Sequence, residues 1–149
     1  MKILIFGLPG SGKTTLAREL AYHFNVPHHN ADFYRELHKD WDFSEVGRWR
    51  QAERMSKQVG ILDFVAPKEE IRQIINADIT IFMDTIKKGR YEDTNKVFEK
   101  PTMREILTVD YRVKEWIELN QLHKCLEDFN PGIKGILNFL RLHFQKLLK

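Results

Sequence analysis

Gly7-Leu8-Pro9-Gly10-Ser11-Gly12-Lys13-Thr14 is the stretch on which the fold turns. It satisfies the spacing G-x-x-x-x-G-K-[ST], and its surroundings give that spacing weight. Ahead of it lies Lys2–Phe6, a short apolar run stopped by glycine, which reads as a buried strand. Behind it, over 14–24, Leu16, Ala17, Leu20, Ala21 and Phe24 fall on one helical face. Glycines let such a strand-to-helix turn aim successive N–H groups inward, and the helix start adds the positive end of its dipole. The product is an anion cradle. In this context Lys13 reaches the β and γ phosphates of a nucleotide and the Thr14 hydroxyl joins the shell of a Mg²⁺ ion. Gly7, Gly10, Ser11, Gly12, Lys13, Thr14 and Thr15 are the expected nucleotide-binding set, with ATP and Mg²⁺ as cofactors. A glycine turn that binds nothing is the bland alternative, and the strand–loop–helix context argues against it.

Outward from this unit, strands and helices alternate. A second short strand is expected over 28–31, ending at Asp32, then a polar helix over 45–60 stopped by Gly60. A third strand over 61–66 closes at Pro67, a short helix follows over 68–77, and a fourth strand spans Ile79–Met83. The stretch from Thr85 to about Glu105 is polar and basic, without clear periodicity. A fifth strand is expected within 106–113, a helix over 116–129, and a last helix from Pro131 to the end. That order predicts an α/β fold: a P-loop NTPase three-layer α/β/α sandwich around a mostly parallel five-stranded sheet. Nothing marks a linker or a repeat, so residues 1–149 are read as one domain, with a lid-like segment at about 86–105.

Composition fits that picture. At 149 residues the chain can bury a sizeable core, and 30% charged residues suit a globular domain. No apolar run reaches the roughly 18 residues of a membrane span. The lone Cys125 rules out an internal disulfide, and the expected location is the cytoplasm. A net charge of +3 suits anionic ligands without arguing for nucleic acid. A homodimer is left open.

Phosphoryl transfer needs a carboxylate near the acceptor hydroxyl and cations around the moving group. Asp32, at the carboxyl end of a strand, is placed to face the γ-phosphate. Arg35, Arg48, Arg50 and Arg54 follow, and Lys87, Lys88, Arg90 and Lys96 lie where a lid would cover the phosphates. Several of these cations are plain solvated surface. Asn30-Ala31-Asp32-Phe33-Tyr34-Arg35, Leu37-His38-Lys39-Asp40-Trp41-Asp42-Phe43-Ser44, then Arg48, Gln51 and Arg54, then Phe64-Val65-Ala66-Pro67 and Ile81-Phe82-Met83-Asp84-Thr85 together resemble the adenylylsulfate kinases. The likeness covers about residues 2–85. It implies ATP-dependent phosphorylation of a nucleotide-like, anionic acceptor. Asp32 would stand beside the acceptor hydroxyl and the magnesium, and Arg35 and Arg54 would hold the acceptor's anion. Phe33 and Gln51 replace family asparagines, and Phe64 and Pro67 would line the acceptor pocket, with Phe64 stacking on a base. Two departures are plain. The family's first Asp-Gly is Asn30-Ala31, and its lid sequence is replaced by 87–101. The acceptor therefore stays open, with a modified pyrimidine or another small hydroxyl compound as the alternative.

Other signals are weaker. Adjacent His28 and His29 point to opposite sides of a strand and make a poor metal pair. Trp41, Trp49 and Trp116 could stack on a base, but core packing is the expectation for at least two. Asp63 could assist a magnesium or be a paired strand carboxylate. The segment 131–149 has no acid and an apolar helical face, which suits cover for the sheet or a partner surface. A non-catalytic nucleotide-binding regulator is the rival from another class. A guanine-specific switch would want N-K-x-D, and Asn95-Lys96-Val97-Phe98 lacks the aspartate.

Overall fold

The structure, a computed structural model, describes residues 2–114. The helices expected over 116–129 and 131–149, with Trp116 and Cys125, lie outside the described residues. Five strands, β1 (Lys2–Phe6), β2 (His28–Asn30), β3 (Gly60–Phe64), β4 (Ile79–Met83) and β5 (Tyr111–Val113), form one sheet in the order β2-β3-β1-β4-β5. Every pairing is parallel, so the expected mostly parallel sheet is parallel throughout. The helices are α1 (Lys13–Phe24), α2 (Ala31–His38), α3 (Glu45–Ser56), α4 (Glu69–Ile75), α5 (Glu92–Val97) and α6 (Met103–Ile106).

The strand alternation in the sequence becomes two cores. Ile3, Ile5, Ile61, Ile81 and Met83 pack on Leu16, Ala17 and Leu20 of α1. Leu4, Phe6, Leu62, Phe64 and Phe82 face the other way, onto Ala52 and Met55 of α3 and Ile71 and Ile75 of α4. Full burial of each such aliphatic or aromatic side chain stabilises the fold by roughly 1.5–3 kcal/mol. The sheet is thus covered on both faces, as a parallel sheet requires.

Two expectations need correction. Asp32 does not close a strand. It lies in the first turn of α2, which the sequence reading missed, because the Asn30 side chain accepts from the Phe33 N–H and starts a helix there. The strand expected within 106–113 is β5 at Tyr111–Val113, while Ile106 ends α6, which Thr102 caps. Neither Trp41 nor Trp49 is in the core, with 49% and 37% of their surface exposed. Among the described residues no helix is long and apolar enough to cross a membrane.

The segment after β4 is tied down by a buried ion pair. Arg72 of α4 forks onto Glu105 of α6 at 2.5 and 2.8 Å, and donates to the carbonyls of Ala66 and Glu99. Its guanidinium also lies 4.8 Å from the centre of the Phe6 ring. Removing one member would strand a buried charge. Glu105→Ala is expected to lower the unfolding free energy by about 3–5 kcal/mol in urea titrations, whereas Arg72→Met/Glu105→Leu should cost clearly less than either single change.

Candidate active site

The loop between β1 and α1 opens at the carboxyl edge of the sheet, beside the point where the chain reverses its strand order. In open α/β sheets this crevice is where ligands settle. Gly12 caps α1 at φ 98°, a left-handed conformation that side chains resist. At Gly7 a Cβ would stand 2.6 Å from the Met83 carbonyl oxygen, so only glycine lets the loop leave between β1 and β4. Thr85, just past β4, donates its hydroxyl to the Ser11 carbonyl at 2.7 Å and pins the turn. The Ser11 hydroxyl itself is buried, without a hydrogen-bond partner among the described residues.

Lys13 is buried and donates to the Leu8 carbonyl at 3.0 Å. Burial pushes its pKa below the ordinary lysine value; Asp63 and then Asp32 act in the opposite sense. Thr14, in the first turn of α1, donates to Asp63 at 2.6 Å. Asp63 is 2% exposed and lies on the α1 side of β3. The same oxygen accepts from Asn30 at 2.9 Å and meets His28 at 3.3 Å. Burial works against its charge, but these hydrogen bonds and Lys13 outweigh it and hold the carboxyl below the usual range. Asp63 was the residue the sequence left undecided; the signal was a carboxylate inside the apolar run of β3. His29 turns the other way, to Tyr34 and the Val59 carbonyl.

A cavity of about 430 Å³ opens from the loop. Gly10, Lys13, Thr14, Asp32 and Asp63 line it, together with Arg35, Arg48, Trp41 and Phe43. Phe64 and Pro67 line it, and Arg90, Tyr91 and Asp93 bound it from the segment after β4. The Arg35 and Arg48 guanidiniums lie 4.3 and 5.3 Å from the centre of the Phe43 ring. Burial and the charge of Arg48 push the Arg35 pKa down, and burial does the same to Arg48. Among the described residues neither forms an ion pair.

Other expected site residues stand apart from this cavity. Arg54 pairs with Asp40 at 2.5 Å and contacts Gln51, outside the cavity lining. On a helix, positions 48, 51 and 54 drift round the axis, so Arg54 shares a side with Arg50, which grips the same Asp40. Gln51 is fully buried and donates to the Ala31 carbonyl at 2.6 Å, which joins α3 to the start of α2. Phe33 is 62% exposed and packs edge-on against Tyr34, away from the lining. Thr15 is exposed on α1, and Lys87, Lys88 and Lys96 are exposed outside the lining. Arg48, which matches the family spacing but was given no role there, lines the cavity.

A family model described as an AAA domain matches residues 2–118. The chain belongs to this AAA domain family. A comparison with curated proteins finds no significant match. Among solved structures, the AAA domain chain is similar to the APS kinase CysC of Mycobacterium tuberculosis in complex with AMPPNP and APS, with a TM-score of 0.57 at 18% identity over 75% of this chain and 86% of that one. It is similar to shikimate kinase from Acinetobacter baumannii in complex with shikimate, with a TM-score of 0.55 at 16% identity over 76% and 83% of the two chains. A Janibacter sugar kinase gives 0.53 at 14% identity over 75% and 82%. The fold is therefore that of P-loop kinases. At these identities the likeness is one of fold, and it does not single out the APS kinase among kinases of different acceptors.

Asp63→Ala would leave Thr14 and Asn30 without their buried acceptor, and is expected to cost about 1–3 kcal/mol in urea melts at pH 7. Because the carboxyl is held low, its contribution is complete above about pH 4 and is lost as pH falls through its folded-state pKa. The gap between wild type and variant should accordingly narrow in acid.

Proposed function

We propose that the chain is an ATP-dependent kinase that moves the γ-phosphate to a hydroxyl of a small, anionic, nucleotide-like acceptor. One observation carries the reading: a single cavity is lined both by the P-loop lysine and Asp32 and by two arginines, Arg35 and Arg48, that form no ion pair among the described residues. The first pair suits the reacting atoms and the second suits an anion. A protein that only bound nucleotide would have no use for the second pair.

In this reading the loop N–H groups and Lys13 take the β and γ phosphates, Lys13 exchanging the Leu8 carbonyl for phosphate oxygen. Arg90, with its guanidinium beside Gly10, closes on the same phosphates. Asp32 orients the acceptor hydroxyl and accepts its proton as the oxygen bonds to γ-phosphorus. The bond from γ-phosphorus to the bridging oxygen breaks, and ADP carries that oxygen away. Arg35 and Arg48 hold the acceptor's anion; arginine forks suit phosphate, sulfate or carboxylate. Arg54, expected from sequence to share this task, is assigned instead to fixing the α2–α3 connection through Asp40.

Mg²⁺ fits the donor set. Thr14 spends its proton on Asp63 and keeps lone pairs for a cation, and Asp63 and Asp32 are hard oxygen donors close by. Such an ion takes one or two carboxylates and completes its shell with phosphate oxygens. When bound it neutralises charge on the β and γ phosphates.

Lys13→Ala is expected to abolish steady-state ATP turnover; activity within about tenfold of wild type, some 1.4 kcal/mol of barrier, would sink the assignment. Asp32→Asn should keep ATP affinity and lower the rate by on the order of 10²–10⁴. A panel of hydroxyl compounds, phosphorylated and not, identifies the acceptor class. Arg48→Gln should raise the acceptor KM well beyond any change in the ATP KM, whereas Arg54→Gln should act on stability. If only uncharged sugars or alcohols are phosphorylated and Arg48→Gln is silent, the anionic acceptor is wrong.

A further inference from the structure

After β4 the chain crosses the P-loop, and the crossing has a fastening of its own. Thr85 donates to the Ser11 carbonyl at 2.7 Å. Ile86 and Arg90 each come within 3.8 Å of where a Cβ on Gly10 would stand. At Gly89 the crossing is tight: a Cβ there would stand 3.0 Å from the Pro9 carbonyl oxygen and 3.1 Å from its ring. Asn95 holds this same residue. Its side-chain oxygen accepts from the Gly89 N–H at 2.8 Å, and its side-chain nitrogen donates to the Gly89 carbonyl at 3.0 Å. A carboxamide carries an acceptor and a donor side by side, so one side chain can hold both polar atoms of one backbone residue.

Asn95 has a firm base to hold from. It lies in α5, and the residues just after that helix are tied to the body of the fold. Phe98 stacks on Phe82 with ring centres 6.2 Å apart, and the Glu99 N–H donates to the Pro67 carbonyl at 2.7 Å. The turn is different. Lys87, Lys88 and Arg90 are exposed, so it buries little of its own. Among the described residues Arg90 forms no ion pair. In sequence Asn95 opens Asn95-Lys96-Val97-Phe98, which lacks the aspartate of a guanine signature. The two bonds to Gly89 give this asparagine a different use.

We infer that Asn95 is a positioning residue for phosphoryl transfer: its carboxamide clamps Gly89 so that Arg90, the next residue, is held beside the phosphate loop before nucleotide arrives. This rests on the kinase reading given above and adds to it the group that sets Arg90. Asn95 touches no reacting atom and acts through Arg90. An arginine on an untethered turn would have to be ordered each time nucleotide bound, and the clamp removes part of that cost.

The test is a double-mutant cycle between Asn95 and Arg90, read as the affinity of the full chain for magnesium–AMPPNP by calorimetry. Arg90→Ala should weaken binding about tenfold or more, the range for a hydrogen bond to a charged group. Asn95→Ala should weaken it about threefold to tenfold when Arg90 is present, and by less than about twofold once Arg90 is gone. An asparagine that only supported the fold would give the same loss in both backgrounds. Equal losses therefore overturn the assignment, as does an Asn95→Ala affinity within about twofold of wild type. Should Asn95→Ala fail to fold, Gly89→Ala takes its place in the cycle. That change crowds the turn against Pro9 and leaves α5 untouched; coupling to Arg90 is again expected, and its absence overturns the clamp. Lys13→Ala separates this inference from the kinase reading. If it abolishes AMPPNP binding while Arg90→Ala and Asn95→Ala are silent, the phosphate loop stands and the role of Asn95 falls. If Lys13→Ala is silent as well, the kinase reading falls too.

Discussion

The buried charge of Asp63 is the constraint that aligns this site. A carboxylate in the middle of an apolar strand is tolerated only if its oxygens are met by donors. Here the donors come from three places: Thr14 in the first turn of α1, Asn30 at the end of β2, and His28 within β2. Satisfying one side chain therefore sets α1, β2 and β3 in register with each other. The parallel pairing puts Asp63 opposite Ile5 and Asn30 opposite Asp63, so the three strands end together at the mouth of the loop. Lys13 joins the arrangement as the nearby positive charge, and its own burial is tolerable because Asp63 and Asp32 are there.

From that edge the chain builds outward in layers that serve the cavity. Asn30 does double duty. Its amide nitrogen goes to Asp63 and its oxygen starts α2, which brings Asp32 to the cavity in the first helical turn. Gln51, deep in α3, holds the Ala31 carbonyl and so keeps α2 against α3. The connection between these helices is then closed by charge: Asp40 gathers Arg50 and Arg54, whose hydrogen bonds hold its carboxyl far below the usual range. On the opposite wall the Arg72–Glu105 pair fastens α6 to α4, and the Glu99 N–H donates to the Pro67 carbonyl. Tyr91 and Asp93 are thereby brought to the cavity by a segment that has little apolar surface of its own to bury.

Much of this is arginine chemistry with two outcomes. Arg54 and Arg72 meet carboxylates and are spent on structure. Among the described residues Arg35 and Arg48 meet only carbonyls and a ring, and both line the cavity. The difference is one of placement around helices, not of residue type. It is also why two arginines of one helix, six residues apart, end in different roles.

The sequence alone was enough for the loop, for β1 and α1, for β4, and for the parallel α/β class. Those features rest on local physics: glycines where the backbone must turn, an apolar run of strand length, and a 3.6-residue period directly after it. It was also enough to name Lys13, Asp32 and Arg35 as residues of interest. It did not contain α2, whose start depends on one side-chain cap, nor the helices after β4, whose polar sequence has no period to read. It left Asp63 undecided, because its donors lie 33 to 49 residues away. It did not say that Arg48 would line the cavity and Arg54 would not, because spacing along a chain does not say which side of a helix faces a cavity. Those choices were made by tertiary structure, since burial and charge pairing are properties of neighbours in space, and only the packed sheet determines who the neighbours are.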